Sequence, residues 1–228
     1  MIEFENLTKS YAGKLPVLEE INLRIEQGEF FFLSGVSGAG KTTFFRLMLL
    51  LENPNQGNIF FSGKNINLYS HTQRARHRRE IGMVFQDQDN RLLNRETIEE
   101  NVALPLRIAG LSGKDMRVRT HALLEQVGLE NRKQEMVEGL SGGEKQLVSI
   151  ARAMVFSPRI FFADEPTGNL DQNVAFRVME LLRGINETGC TVIVATHDLN
   201  LIRSFRARTL LIKDRKIHEV KLVDKPVR

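Results

Sequence analysis

The run Gly35-Val36-Ser37-Gly38-Ala39-Gly40-Lys41-Thr42-Thr43 has the residue types and spacing to grip a chain of phosphates. Glycines at 35, 38 and 40 let the chain turn tightly with its N–H groups facing inward, a nest for anionic oxygens. A helix expected from about Lys41 adds the positive end of its dipole. Lys41 is expected to reach the β- and γ-phosphates of a nucleoside triphosphate, and the Thr42 hydroxyl to ligate magnesium. The bland alternative is a Gly-rich turn with an exposed lysine. The short apolar run Glu29–Leu33 ahead of the glycines, strand-like, and the helical run behind them weigh against it.

Two further spots could do chemistry. Asp164 and Glu165 leave the apolar run Arg159–Ala163, and adjacent carboxylates at the end of a buried strand are costly unless a cation needs them. Asp164 is read as part of a magnesium shell and Glu165 as the catalytic carboxylate that polarises an attacking water. Thr196-His197-Asp198 follows another buried run, Thr191–Ala195. Parallel strands deliver their C-terminal ends to one rim, so His197 is expected to reach the γ-phosphate as a donor. Taken singly, such a histidine is more often a solvated side chain, and Asp198 serves as the N-cap of Leu199–Arg206.

The elements that must position these groups alternate in type. Ile2–Leu7, Val17–Glu26 and Glu29–Ser34 read as strands feeding the phosphate loop, with Asn58–Ser62 and Ile81–Phe85 as further strands. Thr97–Ala109, Lys114–Val127 and Glu144–Val155 read as helices. Strands alternating with helices predict an α/β fold with a mostly parallel sheet covered on both faces. The expected division is a core lobe of about 1–90 and 156–228, with about 91–155 inserted as a helical subdomain.

Composition sets outer bounds. The chain has 228 residues, 42% hydrophobic, a net charge of +4 and one cysteine. One sizeable core with a subdomain fits that length. Cys190 cannot pair within the chain and reads as a core residue. No apolar run approaches the roughly 20 residues of a membrane span, and the acidic start Met-Ile-Glu-Phe-Glu does not resemble a signal peptide. If membranes matter, another chain supplies them. The basic run Arg74, Arg76, His77, Arg78, Arg79 reads first as a solvated helix face, second as attraction to anionic lipid, and last as a nucleic-acid contact.

Leu140-Ser141-Gly142-Gly143-Glu144, downstream of the phosphate loop, resembles the signature of the ABC-type ATPases, and the other motifs follow in that family's order across nearly the whole chain. The resemblance implies an ABC-type P-loop fold with N-terminal antiparallel strands, with ATP and Mg2+ as ligands. It implies that Tyr11 stacks on adenine, that Gln86 senses magnesium, and that Asn169-Leu170-Asp171 forms a loop at a dimer interface. It implies that Ser141, Gly142, Gly143 and Glu144 serve a nucleotide held by a second copy, in a homodimer around two ATP. Lys145-Gln146-Leu147 departs from the family's pattern, which carries arginine at the third position.

The stretches Ala163–Asp171, Thr196–Ile202, Asn101–Gly110 and the opening Met1–Tyr11 resemble the family's cell-division branch and its relatives in lipoprotein release and macrolide efflux. That resemblance implies an FtsX-like integral membrane partner, a place on the inner face of the cell membrane, and control of cell-wall hydrolysis. The partner is expected to dock near Gln86–Arg95. A soluble DNA-maintenance ATPase of this family would carry a long coiled-coil or zinc-bearing insertion between Lys41 and Ser141, and this chain has neither.

Overall fold

A computed structural model describes residues 1–85, 92–168 and 170–220. Two sheets sandwich one helix. The first sheet is antiparallel, in the order β2 (Leu18–Ile25), β1 (Ile2–Lys9), β4 (Gln56–Phe61), β5 (Lys64–Asn65). The second joins β3 (Phe30–Ser34), β6 (Ile81–Val84), β7 (Ile160–Asp164), β8 (Thr191–Ala195), β9 (Arg208–Lys213) and β10 (Lys216–Val220), in the order β10-β9-β3-β8-β7-β6. Within it β9, β3, β8, β7 and β6 run parallel, and β10 pairs antiparallel to β9 at the edge. This is the mostly parallel core sheet with antiparallel N-terminal strands expected from the sequence.

The parallel strands are apolar on both faces because both faces are covered. Phe31 and Leu33 of β3, Ile160 and Phe162 of β7, and Ile193 and Ala195 of β8 join one core with α1 (Lys41–Met48) and the antiparallel sheet. The alternate residues Phe32, Phe161, Ala163, Val192 and Val194 join a second core. In the first core, Phe45 of α1 stacks on Phe162 with centroids 4.7 Å apart, and Phe44 on Phe4 at 4.9 Å. The second core holds the helical block: Val102 and Leu106 of α3 (Ile98–Ile108), Leu124 of α4 (Gly113–Gln126) and Val148 of α5 (Gly142–Met154). α6 (Gln172–Glu187) closes that core with Val178, Met179, Leu182 and Ile185. The helical block thus buries its apolar face on the same sheet that carries the phosphate loop.

The expected strands and helices appear with ends shifted by one or two residues, as fraying ends allow. The strands β5, β9 and β10 were not foreseen. The hairpin β9–β10 turns through Asp214 and Arg215, both with positive φ, without the Asn-Gly signal that marks such turns. The basic run forms α2 (His71–Arg79), and it is not a purely solvated face. Arg74 points inward, donating to the carbonyls of Tyr69, Leu50 and Asn67 and to Asn53 Oδ1. His77 is buried at 2% exposure, 2.8 Å from the Met48 carbonyl at the end of α1, edge-on to Phe61 and Tyr69. Arg76 and Arg79 remain exposed. Cys190 lies in the core, and burial pushes its thiol up to about 12.

Candidate active site

The phosphate loop links the C-terminal end of β3 to the start of α1. Gly35 has φ 155°, and a Cβ there would come within 2.9 Å of the Ile212 carbonyl oxygen. Gly40, the residue ahead of α1, has φ 113°, and a Cβ would come within 2.9 Å of Val17 Cγ1. No side chain caps the first turn of α1, so its N–H groups point to the loop's mouth. That mouth is a cavity of about 490 Å³ lined by Val36, Ser37, Gly38, Ala39, Gly40, Lys41, Thr42, Thr43, Asp164, Glu165 and His197. Lys41 Nζ donates to the Gly35 carbonyl at 2.7 Å and lies 3.8 Å from Glu165 Oε1.

Strand order brings the remaining groups to this rim. β8 lies beside both β3 and β7, so the ends of all three converge. Asp164 closes β7, and its Oδ2 accepts the Thr42 hydroxyl at 3.2 Å. Two oxygens of opposite elements so placed are the donor set a hard divalent cation uses. Glu165 sits next along the chain at φ 48°, an uncommon backbone for a non-glycine residue. Its N–H donates to the Ala195 carbonyl at 2.9 Å, which pins the turn to β8. Its Oε1 meets His197 Nδ1 at 2.7 Å; the glutamate side chain is 10% exposed and the histidine 75%. Asp198 caps α7 (Leu199–Phe205), accepting from the N–H groups of Asn200 and Leu201.

Tyr11 borders that cavity at Thr43, whereas Ser141 to Glu144 and Asp171 do not line it. Tyr11 follows β1, 36% exposed, with its hydroxyl 3.2 Å from Thr43 Oγ1 and donating to Glu52 Oε1 at 3.1 Å. Ser141 is the N-cap of α5 in a reciprocal box: its Oγ accepts from the Glu144 N–H, while its own N–H and hydroxyl donate to Glu144 Oε2 at 2.8 and 2.7 Å. Gly142 and Gly143 form the first turn of that helix. A Cβ on Gly143 would lie 2.5 Å from Val174 Cγ1 in α6, so only glycine fits this approach. Asp171 caps α6, accepting from Asn173 and Val174 N–H. Leu147 occupies the second core at 5% exposure, an apolar lodging suited to leucine. Gln86, Asn169 and Arg91 lie outside the described residues, and Arg95 is exposed ahead of α3.

Two supports of these groups carried no signal in the sequence. Arg132 ion-pairs with Glu144 and with Glu135. The Ser141 hydroxyl and N–H, together with Arg132, hold the Glu144 carboxyl below its ordinary range. Lys9 and Glu52 brace Tyr11 from β1 and from the turn after α1. The Arg132–Glu144 and Tyr11–Glu52 contacts span 12 and 41 residues through irregular segments, where no periodicity points from one to the other.

The loop, the paired acids and the histidine on one sheet rim define a nucleoside-triphosphate hydrolase of the P-loop class. The matching family model is ABC transporter, over residues 18–168, and the chain belongs to that family. It is an ABC-type ATPase. It is 44% identical over 218 residues to the cell division ATP-binding protein FtsE of Escherichia coli K12, covering 96% of this chain and 97% of that one. It is 42% identical over 211 residues to FtsE of Mycobacterium tuberculosis, covering 92% and 91%. Among solved structures it resembles a dimeric ATP-binding cassette in a post-hydrolysis state bound to ADP and Pi. That match has a TM-score of 0.85 and 35% identity, over 99% of this chain and 100% of that one. Among the described residues no helix is long and apolar enough to cross a membrane.

Proposed function

We propose that this chain is the ATP-binding and ATP-hydrolysing subunit of a membrane ABC complex acting in cell division, with an FtsX-like integral membrane protein as its partner. The observation that carries the hydrolytic part is the convergence of Lys41, Thr42, Asp164, Glu165 and His197 on one cavity. The division role is supported by near full-length similarity to the FtsE proteins.

In this reading the loop N–H groups from Gly35 to Thr43 hold the phosphates, and Lys41 neutralises charge between them. Thr42 and Asp164, with Gln86, would hold magnesium, which supplies neutralisation of the charge that builds on the transferring phosphoryl group. Glu165 orients and polarises water for in-line attack, with His197 fixing the carboxylate and donating toward the γ-phosphate. Tyr11 stacks on the base. Ser141 to Glu144 stand outside this cavity, which supports their use on the nucleotide of a second copy, in a two-fold dimer around two ATP. Asp171 and its neighbours then face the partner copy. The lobe of about 1–90 and 156–228 binds nucleotide, and the block of about 91–155 carries the signature. Their relative movement would pull on the membrane partner at the cytoplasmic face of the membrane.

The test is purification from native membranes with identification of the bound membrane protein, followed by ATPase assay of the complex. Recovery of an FtsX-like protein supports the division role. Recovery of a lipoprotein-release or macrolide-type permease replaces it with export. A catalytic subunit that yields no membrane partner refutes both.

A further inference from the structure

Tyr11 is held from three directions. Its hydroxyl donates to Glu52 Oε1 at 3.1 Å and lies 3.2 Å from Thr43 Oγ1, on the helix that starts at the phosphate loop. Lys9 Nζ lies 5.2 Å from the ring centroid, over one face. Glu52 is the hub of this arrangement. It pairs with Lys9 at 3.1 Å and with Arg46 of α1 at 3.0 Å. The Glu52 side chain is 17% exposed and that of Lys9 12%, so the hub is screened from solvent on most sides. Burial alone would raise the Glu52 carboxyl, but the Tyr11 and Lys9 hydrogen bonds and the Arg46 charge hold it below the ordinary range. It therefore accepts the tyrosine proton as an anion, the stronger form of that bond.

We propose that Glu52 is a positioning residue for base recognition: it fixes the tilt of the Tyr11 ring relative to the phosphate loop, and so sets how well a base can stack. This rests on the reading that Tyr11 stacks on the base. An aromatic platform on a loop otherwise loses rotamer freedom on binding, and holding the ring beforehand removes that loss. The side chains of Lys9, Arg46 and Glu52 meet one another and Tyr11, whose hydroxyl in turn lies against Thr43 of the phosphate cavity. The effect should fall on binding of the base and not on phosphate chemistry.

The experiment compares ATP with inorganic tripolyphosphate, which has the phosphates and no base, titrated calorimetrically into the full chain with magnesium. Glu52→Ala should weaken ATP about three- to tenfold, the worth of one hydrogen bond, with tripolyphosphate unchanged. KM for ATP should rise with kcat unchanged, the mark of lost ground-state binding. Tyr11→Phe, which removes the hydroxyl alone and keeps the ring, should show the same selective loss. Glu52→Gln, which retains an acceptor, should recover most of it. In a Tyr11→Ala background Glu52→Ala should add nothing further. Equal weakening of ATP and tripolyphosphate, or undiminished ATP affinity in both Glu52→Ala and Tyr11→Phe, overturns the proposal. Tyr11→Ala leaving the ratio of the two affinities unchanged would instead remove the stacking reading itself.

Discussion

Replacing Glu165 with glutamine should separate binding from hydrolysis. The substitution keeps the shape and the backbone, so the φ of 48° is as tolerable for Gln as for Glu. It removes one negative charge from a site that already holds Lys41 at 3.8 Å and His197 at 2.7 Å. A positioned base contributes about 10²- to 10⁴-fold to a proton-transfer step, or about 2.7–5.5 kcal/mol of barrier at 1.36 kcal/mol per decade. The single-turnover rate of Glu165→Gln should fall by that range. Binding should move the other way. A unit-charge pair at about 4 Å is worth roughly 4 kcal/mol at an effective dielectric of 20, an upper bound before desolvation offsets it. Loss of the carboxylate frees Lys41 from that pull and relieves repulsion of a triphosphate, so ATP should bind as tightly as to wild type or more tightly. The assay is rapid-quench hydrolysis with labelled ATP at enzyme excess, alongside a fluorescence titration of nucleotide. A single-turnover rate within about threefold of wild type, with binding intact, would refute the role given to Glu165.

Lys41→Ala should weaken nucleotide binding itself by about 10- to 100-fold, the range of a charge-assisted hydrogen bond, and unchanged affinity in a direct titration would count against its phosphate contact. Gly143→Ala forces a methyl against Val174, so it should cost about 1–3 kcal/mol in stability. In the Glu165→Gln background, where ATP is expected to hold a dimer, it should also abolish that dimer in a sedimentation assay. Val174→Ala should restore both, and a dimer undisturbed by Gly143→Ala would sink the shared-site arrangement. His77 provides a pH test, since burial first of all, with Arg78 nearby, pushes its imidazole below 6.5 against the opposing Met48 carbonyl and Glu80. The unfolded chain then takes up the proton before the native one as pH falls below 6.5, so this contribution is full above that pH and declines beneath it. Urea unfolding at about pH 7.5, 6.5 and 5.5 should show stability falling toward acid, with a flatter slope in His77→Phe, and parallel slopes would discard the assignment.

The chemistry was legible because the motifs are local. A phosphate nest needs glycines at fixed offsets, and the fold that presents it needs an apolar run before and a helix after. The sheet's parallel part was legible for a related reason, since strands buried on both faces read as unbroken apolar runs such as Ile160–Ala163. What escaped was contact at long range. Arg74 and His77 lie three apart on one face of α2, yet their surroundings are so polar that nothing distinguishes that face from a solvated one. The β9–β10 hairpin escaped because its turn residues, Asp214 and Arg215, lack the glycine that usually announces positive φ. The Arg132–Glu144 and Tyr11–Glu52 contacts depend on how loops are packed, which no spacing encodes.

The alternation of β7 between two cores also decides which groups each carboxylate meets. Ile160 and Phe162 face α1, and Asp164 shares their parity, so it arrives against Thr42 on that helix. Glu165 falls on the opposite parity, and its turned backbone delivers it to Lys41 and His197 instead. Neighbours one peptide apart are thereby sorted to different addresses by the two-residue repeat of a strand. The order Asp-then-Glu is accordingly a geometric requirement. Reversing the pair would press the longer arm onto Thr42, where 3.2 Å is already taken up, and leave the shorter one reaching across the cavity toward the histidine. Moving the pair by a single position would bring only one acid to a station and leave the other station without its carboxylate.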